Sequence, residues 1–298
     1  MRRAAALFVT GALLAGCGGA AADDRPLVVV TTNILGDVVG ELVGEQAEVL
    51  TLMPAGADPH SFEVSAQLAA RMREADLLVA NGLGLEEGVA RHVEAARGDG
   101  VTVVEAGEFV EPVEWTTEDD SGIDPHFWTD PQQVLGVVDG VTDALADVDG
   151  LDDGRLATDA DRYRGEVAGL DAEMAERFGE LPPERRALVT NHHVFGYLAE
   201  RFDFTVVGAV IPSGTTLASP SASDLDELAT AVRQAGVPTI FADSSQPDRL
   251  AQVLAEQAGL DVAVVPLFTE SLTADGGGAD TYLQMMRANT EAIVDGLG

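Results

Sequence analysis

Eight short apolar runs fall into two groups of four, and one long amphipathic stretch stands between them. In the first group, residues 27–31, 49–53, 77–80 and 101–104 read as strands, with helices at 34–43 and 66–75 between them. In the second, strands at 187–190, 205–211, 239–242 and 262–266 alternate with helices at 195–202, 223–234, 247–257 and 279–294. Continuous apolar runs, as opposed to alternating ones, suit strands covered on both faces. The alternation of strand and helix therefore predicts an α/β chain with parallel sheets in two lobes. Ser221 with Asp224 offers a capping box, and Pro247 suits a first helical turn.

The stretch between the groups has a different period. Leu156, Ala160, Tyr163, Val167, Leu170, Met174, Phe178 and Leu181 recur at steps of three and four, which marks the buried stripe of one helix. Pro182-Pro183 ends it. At about 1.5 Å per residue such a helix is near 40 Å long, a rigid rod that joins the lobes and disfavours large hinge closure. The expected division is a first lobe over 26–153, the connecting helix over 154–181 and a second lobe over 182–298. A chain of 298 residues with 46% hydrophobic residues is long enough to bury such a core.

Ahead of the lobes, residues 1–17 read MRRAAALFVTGALLAGC: a basic start, an apolar run and small residues before the one cysteine. This is the layout of a secretory signal, too short to span a bilayer as a mature helix. Leu14-Ala15-Gly16-Cys17 fits a bacterial lipoprotein cleavage box, so residues 1–16 are read as signal peptide, Cys17 as the lipid-bearing residue and 17–25 as anchor and flexible tether. A lone cysteine in an exported protein has no internal partner for a disulfide. The expected location is the outer face of the cytoplasmic membrane, reached through the N-terminal lipid. All seventeen basic residues are arginine, and the net charge is −34. Such a field repels phosphate backbones and excludes nucleic acid as a partner, while it draws cations in. A monomer is expected.

Three of the five histidines sit at turns between apolar runs: His60 in AGADPHSF, His126 in GIDPHFW and His192 in TNHHVFGY. In open α/β sheets ligands bind beyond the carboxyl ends of the strands. His60, His192 and Glu270 (in PLFTES) all follow strands, and His126 precedes a helix starting near Pro131. Two come from each half, which places one site in the cleft between lobes. Three neutral imidazoles and a carboxylate suit Zn²⁺ and also accept Mn²⁺. Asp243, in FADSS, rivals Glu270 for the carboxylate position. His193 and His192 point to opposite sides at a strand end, so at most one of them reaches the ion. His92, in a charged helical stretch, reads as a surface residue. Asp124, Glu63 and Asp130 are candidates to orient the ligand imidazoles. Affinity for the ion is expected to fall as pH drops through the histidine range near ~6.5.

The segments LMPAGADPHSFEVSAQLAARMREADLLVANGLGLE, DPHFWTDPQQV, NHHVFGYLAERF and FTESLTADGGGADTYLQMMRANTEAI resemble those of the zinc/manganese-class substrate-binding lipoproteins of bacterial ABC importers. The resemblance extends over nearly all the chain after the tether. It implies two α/β lobes joined by one long helix, and metal ligands at His60, His126, His192 and Glu270. It also implies an ABC importer permease as partner and transport of the metal ion as the function, with no enzymatic activity. Manganese receptors and metal-binding adhesion lipoproteins of the same class are the alternatives it leaves. The family often has aspartate where Glu270 stands, and its manganese members often replace the third histidine with an acid. Many zinc members carry a histidine-rich loop before the second ligand, whereas here that stretch is EPVEWTTEDDSG, short and acidic. A secreted zinc hydrolase, the rival from another class, calls for a general base and a motif such as His-Glu-x-x-His on a helix, which the sequence lacks.

Overall fold

Val28, Val29 and Val30 are wholly buried, as a strand enclosed on both faces demands, and they form the heart of the first lobe. The computed structural model describes residues 25–116, 121–211, 213–259 and 262–298. The expected signal peptide, Cys17 and the tether up to residue 24 lie outside the described residues.

The first lobe runs β1 (Leu27–Val30), α1 (Asn33–Val43), β2 (Glu48–Thr51), α2 (Ala66–Met72), β3 (Leu77–Ala80), α3 (Glu87–Gly98) and β4 (Thr102–Glu105). Its four strands lie in the order β2-β1-β3-β4, all parallel, with Val29 registered against Leu50 on one side and Leu78 on the other. Thr32 caps α1 by accepting from the Leu35 amide at 3.3 Å, and Gly44, at φ +53°, ends it. A short antiparallel hairpin, β5 (Glu114–Thr116) and β6 (Ser121–Ile123), then leads to α4 (Pro131–Ala146).

Helix α5 (Asp153–Gly179) is 27 residues long, about 40 Å at 1.5 Å per residue. Asp152 caps its start through the Arg155 amide at 2.8 Å. The helix stops at Gly179, ahead of Leu181, because the residue before a proline is driven out of the helical region and Pro182-Pro183 follow directly. The second lobe continues with β7 (Ala187–Thr190), α6 (Gly196–Phe202), β8 (Thr205–Ala209), α7 (Ala222–Ala235), β9 (Thr239–Asp243), α8 (Arg249–Ala258), β10 (Ala263–Leu267) and α9 (Tyr282–Leu297). Strands β7 and β8 pair in parallel, as do β9 and β10, and β7 runs beside β9. The capping box forms with both its bonds, Asp224 N–H to Ser221 Oγ at 3.2 Å and Ser221 N–H to Asp224 Oδ2 at 2.7 Å. Pro247 stands two residues ahead of α8 instead of inside its first turn.

One continuous apolar core joins the two lobes. It extends from Val28 and Val30 through Val137 and Val141 of α4 and the stripe of α5 to Ile240, Phe241, Met285 and Met286. A second, smaller cluster on the other face of the first sheet gathers Val29, Met72, Leu78, Val89 and Val93. Polar ties reinforce α5 on both sides. Asp171 accepts from Arg201 of α6 at 3.0 and 2.7 Å and from Gln132 of α4 at 2.8 Å. Among the described residues, no helix is long and apolar enough to cross a membrane.

A core shared in this way makes the lobes one cooperative unit. Calorimetry of the metal-free protein is expected to give one transition, and Leu170→Ala, at a fully buried position of α5, is expected to lower stability by about 2–5 kcal/mol without splitting it. Two resolved transitions would contradict the shared core.

Candidate metal centre

The sequence repeats Asp-Pro-His twice, and both copies fold into the same local turn. Asp58 Oδ1 accepts the His60 amide at 3.0 Å, and Asp124 Oδ1 accepts the His126 amide at 2.9 Å. Each turn holds its histidine in a fixed direction at a loop tip. Beyond β7, His192 is fixed through its carbonyl, which accepts from Thr190 Oγ1 at 2.7 Å. The Ile211 amide holds the preceding residue by donating to the Asn191 carbonyl at 2.7 Å.

Glu270 follows β10 of the second lobe, yet the first lobe grips the chain around it. Trp128 Nε1 donates to the Thr269 carbonyl at 2.9 Å. Asn33 donates to Ser271 Oγ at 2.6 Å and accepts the Leu272 amide at 2.9 Å. Further on, the Tyr282 amide donates to Asp37 and its hydroxyl donates to the Trp128 carbonyl. Sequence reasoning missed Asn33 and Trp128, since neither carries an unusual local signal.

These elements bring His60, His126, His192 and Glu270 together, and all four are buried. One donor atom from each lies within 4.8 Å of every other. The Nε2 atoms of His60 and His126 stand 3.2 Å apart, while Glu270 Oε1 stands 3.3 Å from His126 Nε2 and 2.8 Å from His192 Nε2. Two donors bonded at about 2.0–2.1 Å to one tetrahedral ion stand about 3.3 Å apart. Both Glu270 oxygens and His192 Nε2 are buried with no hydrogen-bond partner. Buried polar atoms left this way carry a desolvation cost that a shared cation offsets.

The surroundings prepare the donors. Asp124 Oδ1 stands 2.6 Å from His126 Nδ1, placed to accept a hydrogen bond from it, while Nε2 of the same ring faces the cluster. Burial, helped by repulsion from His126 and His192, pushes the His60 imidazole down to about 2, so it stays neutral. Burial also lowers His192. Burial pushes the Glu270 carboxyl up to about 8, opposed by His126 and reinforced by Asp243, Asp58 and Asp124. Without an ion, Glu270 therefore holds a proton at neutral pH.

The other residues singled out in the sequence take different places. Asp243 is buried and accepts the Ser245 amide, and it is not among the four converging groups. His193 turns away to stack on Trp115, ring centroids 5.8 Å apart. His92 lies on α3 beside the Arg91 guanidinium. Of the three acids expected to orient imidazoles, Asp124 does so. Asp130 instead caps α4 by accepting the Gln132 amide, and Glu63 pairs with Arg91 at the surface.

The family model described as zinc-uptake complex component A, periplasmic, matches residues 28–296. The chain is 28% identical over 296 residues to the manganese-binding lipoprotein MntA of Halalkalibacterium halodurans, covering 98% of this chain and 96% of that protein. It is 31% identical over 289 residues to the zinc-binding protein TroA of Treponema pallidum, covering 95% and 92%. The iron-binding protein YfeA of Yersinia pestis is 27% identical over 305 residues, covering 99% and 96%. The solved structure of TroA superposes with a TM-score of 0.85 at 30% identity, over 92% of this chain and 99% of that one.

Two expectations follow from the geometry. A carboxyl whose folded pKa lies above its unfolded value of 4.5 binds more protons when folded, so its contribution is present at low pH and lost as pH rises toward 8. His60, lowered from 6.5, acts the other way and loses its contribution as pH falls below 6.5. Between pH 6.5 and 8 the Glu270 slope alone remains of the pair. Urea unfolding of the metal-free protein is expected to lose about 2 kcal/mol across that window, and Glu270→Gln to flatten the decline. A wild-type profile as flat as the variant's would contradict the raised carboxyl. Separately, a Cβ at Gly196 would collide with Asp124 Oδ2. Gly196→Ala is therefore expected to dislodge Asp124 from His126 and weaken metal binding about 10–100-fold, read by chelator competition.

Proposed function

The chain belongs to the family of periplasmic zinc-uptake complex component A, and on that premise we propose that it captures Zn²⁺ outside the cytoplasmic membrane and hands it to an ABC importer permease. It is a metal-binding substrate-binding protein and not an enzyme. The ion is cargo, and the ligands we assign are His60 Nε2, His126 Nε2, His192 Nε2 and Glu270. The observation that carries this reading is the convergence of four buried donor groups, with both Glu270 oxygens and His192 Nε2 lacking hydrogen-bond partners.

Three imidazoles and one carboxylate form a borderline donor set that favours Zn²⁺. Four protein donors leave no open coordination position for a reactive water, which fits carriage and not hydrolysis. Manganese is the second reading, and one observation favours it. Both Glu270 oxygens face the histidines, Oε1 at 3.3 Å from His126 and Oε2 at 3.9 Å from His60, so a bidentate carboxylate supplies a fifth donor. Relatives named for manganese, zinc and iron fit one scaffold that serves several divalent ions.

Capture at neutral pH requires the Glu270 proton to leave, because the ion binds the carboxylate. Affinity is then set by this carboxyl more than by the histidines and keeps rising with pH up to about 8. The lipid anchor at Cys17 keeps the receptor near the permease, and the acidic surface raises the local concentration of cations.

Metal analysis of protein purified without added metal, followed by competitive titration with Zn²⁺ and Mn²⁺ at pH 6, 7 and 8, tests the reading. The expected outcome is one ion per chain, zinc preferred over manganese by at least about tenfold, and affinity increasing at each step of pH. His192→Ala and Glu270→Ala are each expected to weaken zinc binding by more than about 100-fold. Unchanged affinity in both variants would show that the ion sits elsewhere.

A further inference from the structure

The two Asp-Pro-His turns are alike in backbone and unlike in what the second carboxylate oxygen meets. Asp124 uses Oδ1 for both the amide and the ring Nδ1 of His126, and its Oδ2 has no hydrogen-bond partner. Asp58 Oδ2 instead reaches across the cleft, where it accepts from Thr216 Oγ1 at 2.7 Å and Gln246 Nε2 at 2.8 Å, besides Ser61 Oγ at 3.1 Å. Thr216 stands in the loop between β8 and α7, and Gln246 in the loop between β9 and α8. Both loops belong to the second lobe, while the other oxygen of the same carboxylate fixes the His60 amide. One buried side chain thus ties the His60 loop to two separate loops of the opposite lobe.

Those two loops have room to move. Thr216, Ala218, Pro220, Gln246 and Leu250 line a cavity of about 350 Å³. Leu217 of the first loop is exposed instead of being packed into the core. The loops therefore rest on empty space, and loops with little apolar packing open at low free-energy cost. The other end of the tie is firm. The Gly56 amide is held by Ser271 Oγ and the Leu272 carbonyl, in the same segment that the first lobe grips around Glu270. Rigid-body hinging is opposed by α5 and the shared core, so swinging loops are the motion this fold permits most readily.

We propose that Asp58 is a positioning residue that clasps the His60 loop to the two loops of the second lobe, and that opening this clasp sets the rate at which the ion leaves. The proposal rests on the assignment of His60 as a metal ligand. Hydrogen bonds that end on a carboxylate are the stronger kind, and two of them converge here from loops whose other backbone bonds lie toward their roots, at Ile211, Ser213 and Ser244. Closing the clasp seats His60 over the ion. Opening it frees the His60 loop and lets in water that competes for the ion, while the other three donors stay in place.

The test leaves every proposed metal ligand untouched. Thr216→Val with Gln246→Met removes both donors of the second lobe at half-buried loop positions and keeps the turn between Asp58 and His60. Zn²⁺-loaded protein is mixed with excess chromogenic chelator in a stopped-flow instrument, and capture of Zn²⁺ by metal-free protein is followed separately. The double variant is expected to release zinc at least about tenfold faster while its capture rate stays within about twofold of wild type. Asp58→Ala is expected to speed release at least as much, and adding the double change to it to have no further effect. Release at the wild-type rate in the double variant overturns the clasp, as does an equal change in release and capture. An additive effect in the Asp58→Ala background also overturns it. A failure of the underlying site has its own signature, because His60→Ala then leaves zinc affinity at the wild-type value, and that result removes both readings.

Discussion

A carboxylate buried among three imidazoles is the interaction around which this molecule is arranged. Glu270 is 1% exposed, both its oxygens lack hydrogen-bond partners, and its carboxyl is pushed up to about 8 by burial. A group in that position lowers the stability of the metal-free fold at any pH where it would ionise. The fold tolerates this because the chain on each side of Glu270 is tied down by groups that do not titrate: Asn33, Trp128 and backbone amides. The scaffold supplies the stability, and the site is left unsatisfied. A divalent ion converts that deficit into affinity, since it neutralises the carboxylate and bonds imidazole nitrogens that would otherwise face one another at 3.2 Å.

The long helix decides what kind of motion can accompany such binding. Tyr163, Val167, Leu170 and Met174 of α5 are buried in a core that includes strand residues of both lobes, and Asp171 adds bonds to α4 and α6. Bending this rod breaks apolar contacts in both lobes at once. Receptors whose lobes are joined by flexible strands can close like a jaw. Here the inexpensive degrees of freedom are in loops, and the loops that border the site on the second lobe sit over a cavity. Local segments can therefore move without rotation of whole lobes, and all four donor groups are buried in the fold as it stands.

Much of this was legible in the sequence for physical reasons. Buried parallel strands give uninterrupted apolar runs, so the four strands of the first sheet were readable within a residue or two. The stripe from Leu156 to Phe178 fixed α5, although Leu181 lies just beyond its end because the prolines act one residue earlier than the apolar period suggests. The four histidine and glutamate positions stood out because such residues are rare beside strand ends. The antiparallel pair β5 and β6 was not readable, since strands of three residues each are too short to carry a period. Asp130 and Glu63 were misjudged for one reason: proximity in sequence to a ligand does not fix a side chain's direction. Asp130 is the better-placed N-cap for α4 and takes that role, and Glu63 faces solvent and Arg91. The split of two ligands per lobe also needs revision in mechanical terms, because Glu270 issues from the second lobe but is held by the first.

The two Asp-Pro-His turns show how one local motif yields ligands of different character. In each, the aspartate fixes the following histidine through the backbone, a bond the tripeptide itself dictates. Beyond that, the second contact depends on what the rest of the fold puts within reach. Asp124 finds its own imidazole at 2.6 Å and fixes the orientation of the His126 ring. Asp58 is turned away from the His60 ring and finds a hydroxyl and an amide of the other lobe. His126 is thereby locked by its own neighbour, whereas the seating of His60 depends on an agreement between lobes. On the ligand assignment proposed above, the site combines both kinds. A site built wholly of the first kind would hold its ion too long to deliver it, and one built wholly of the second would have no fixed half on which to assemble.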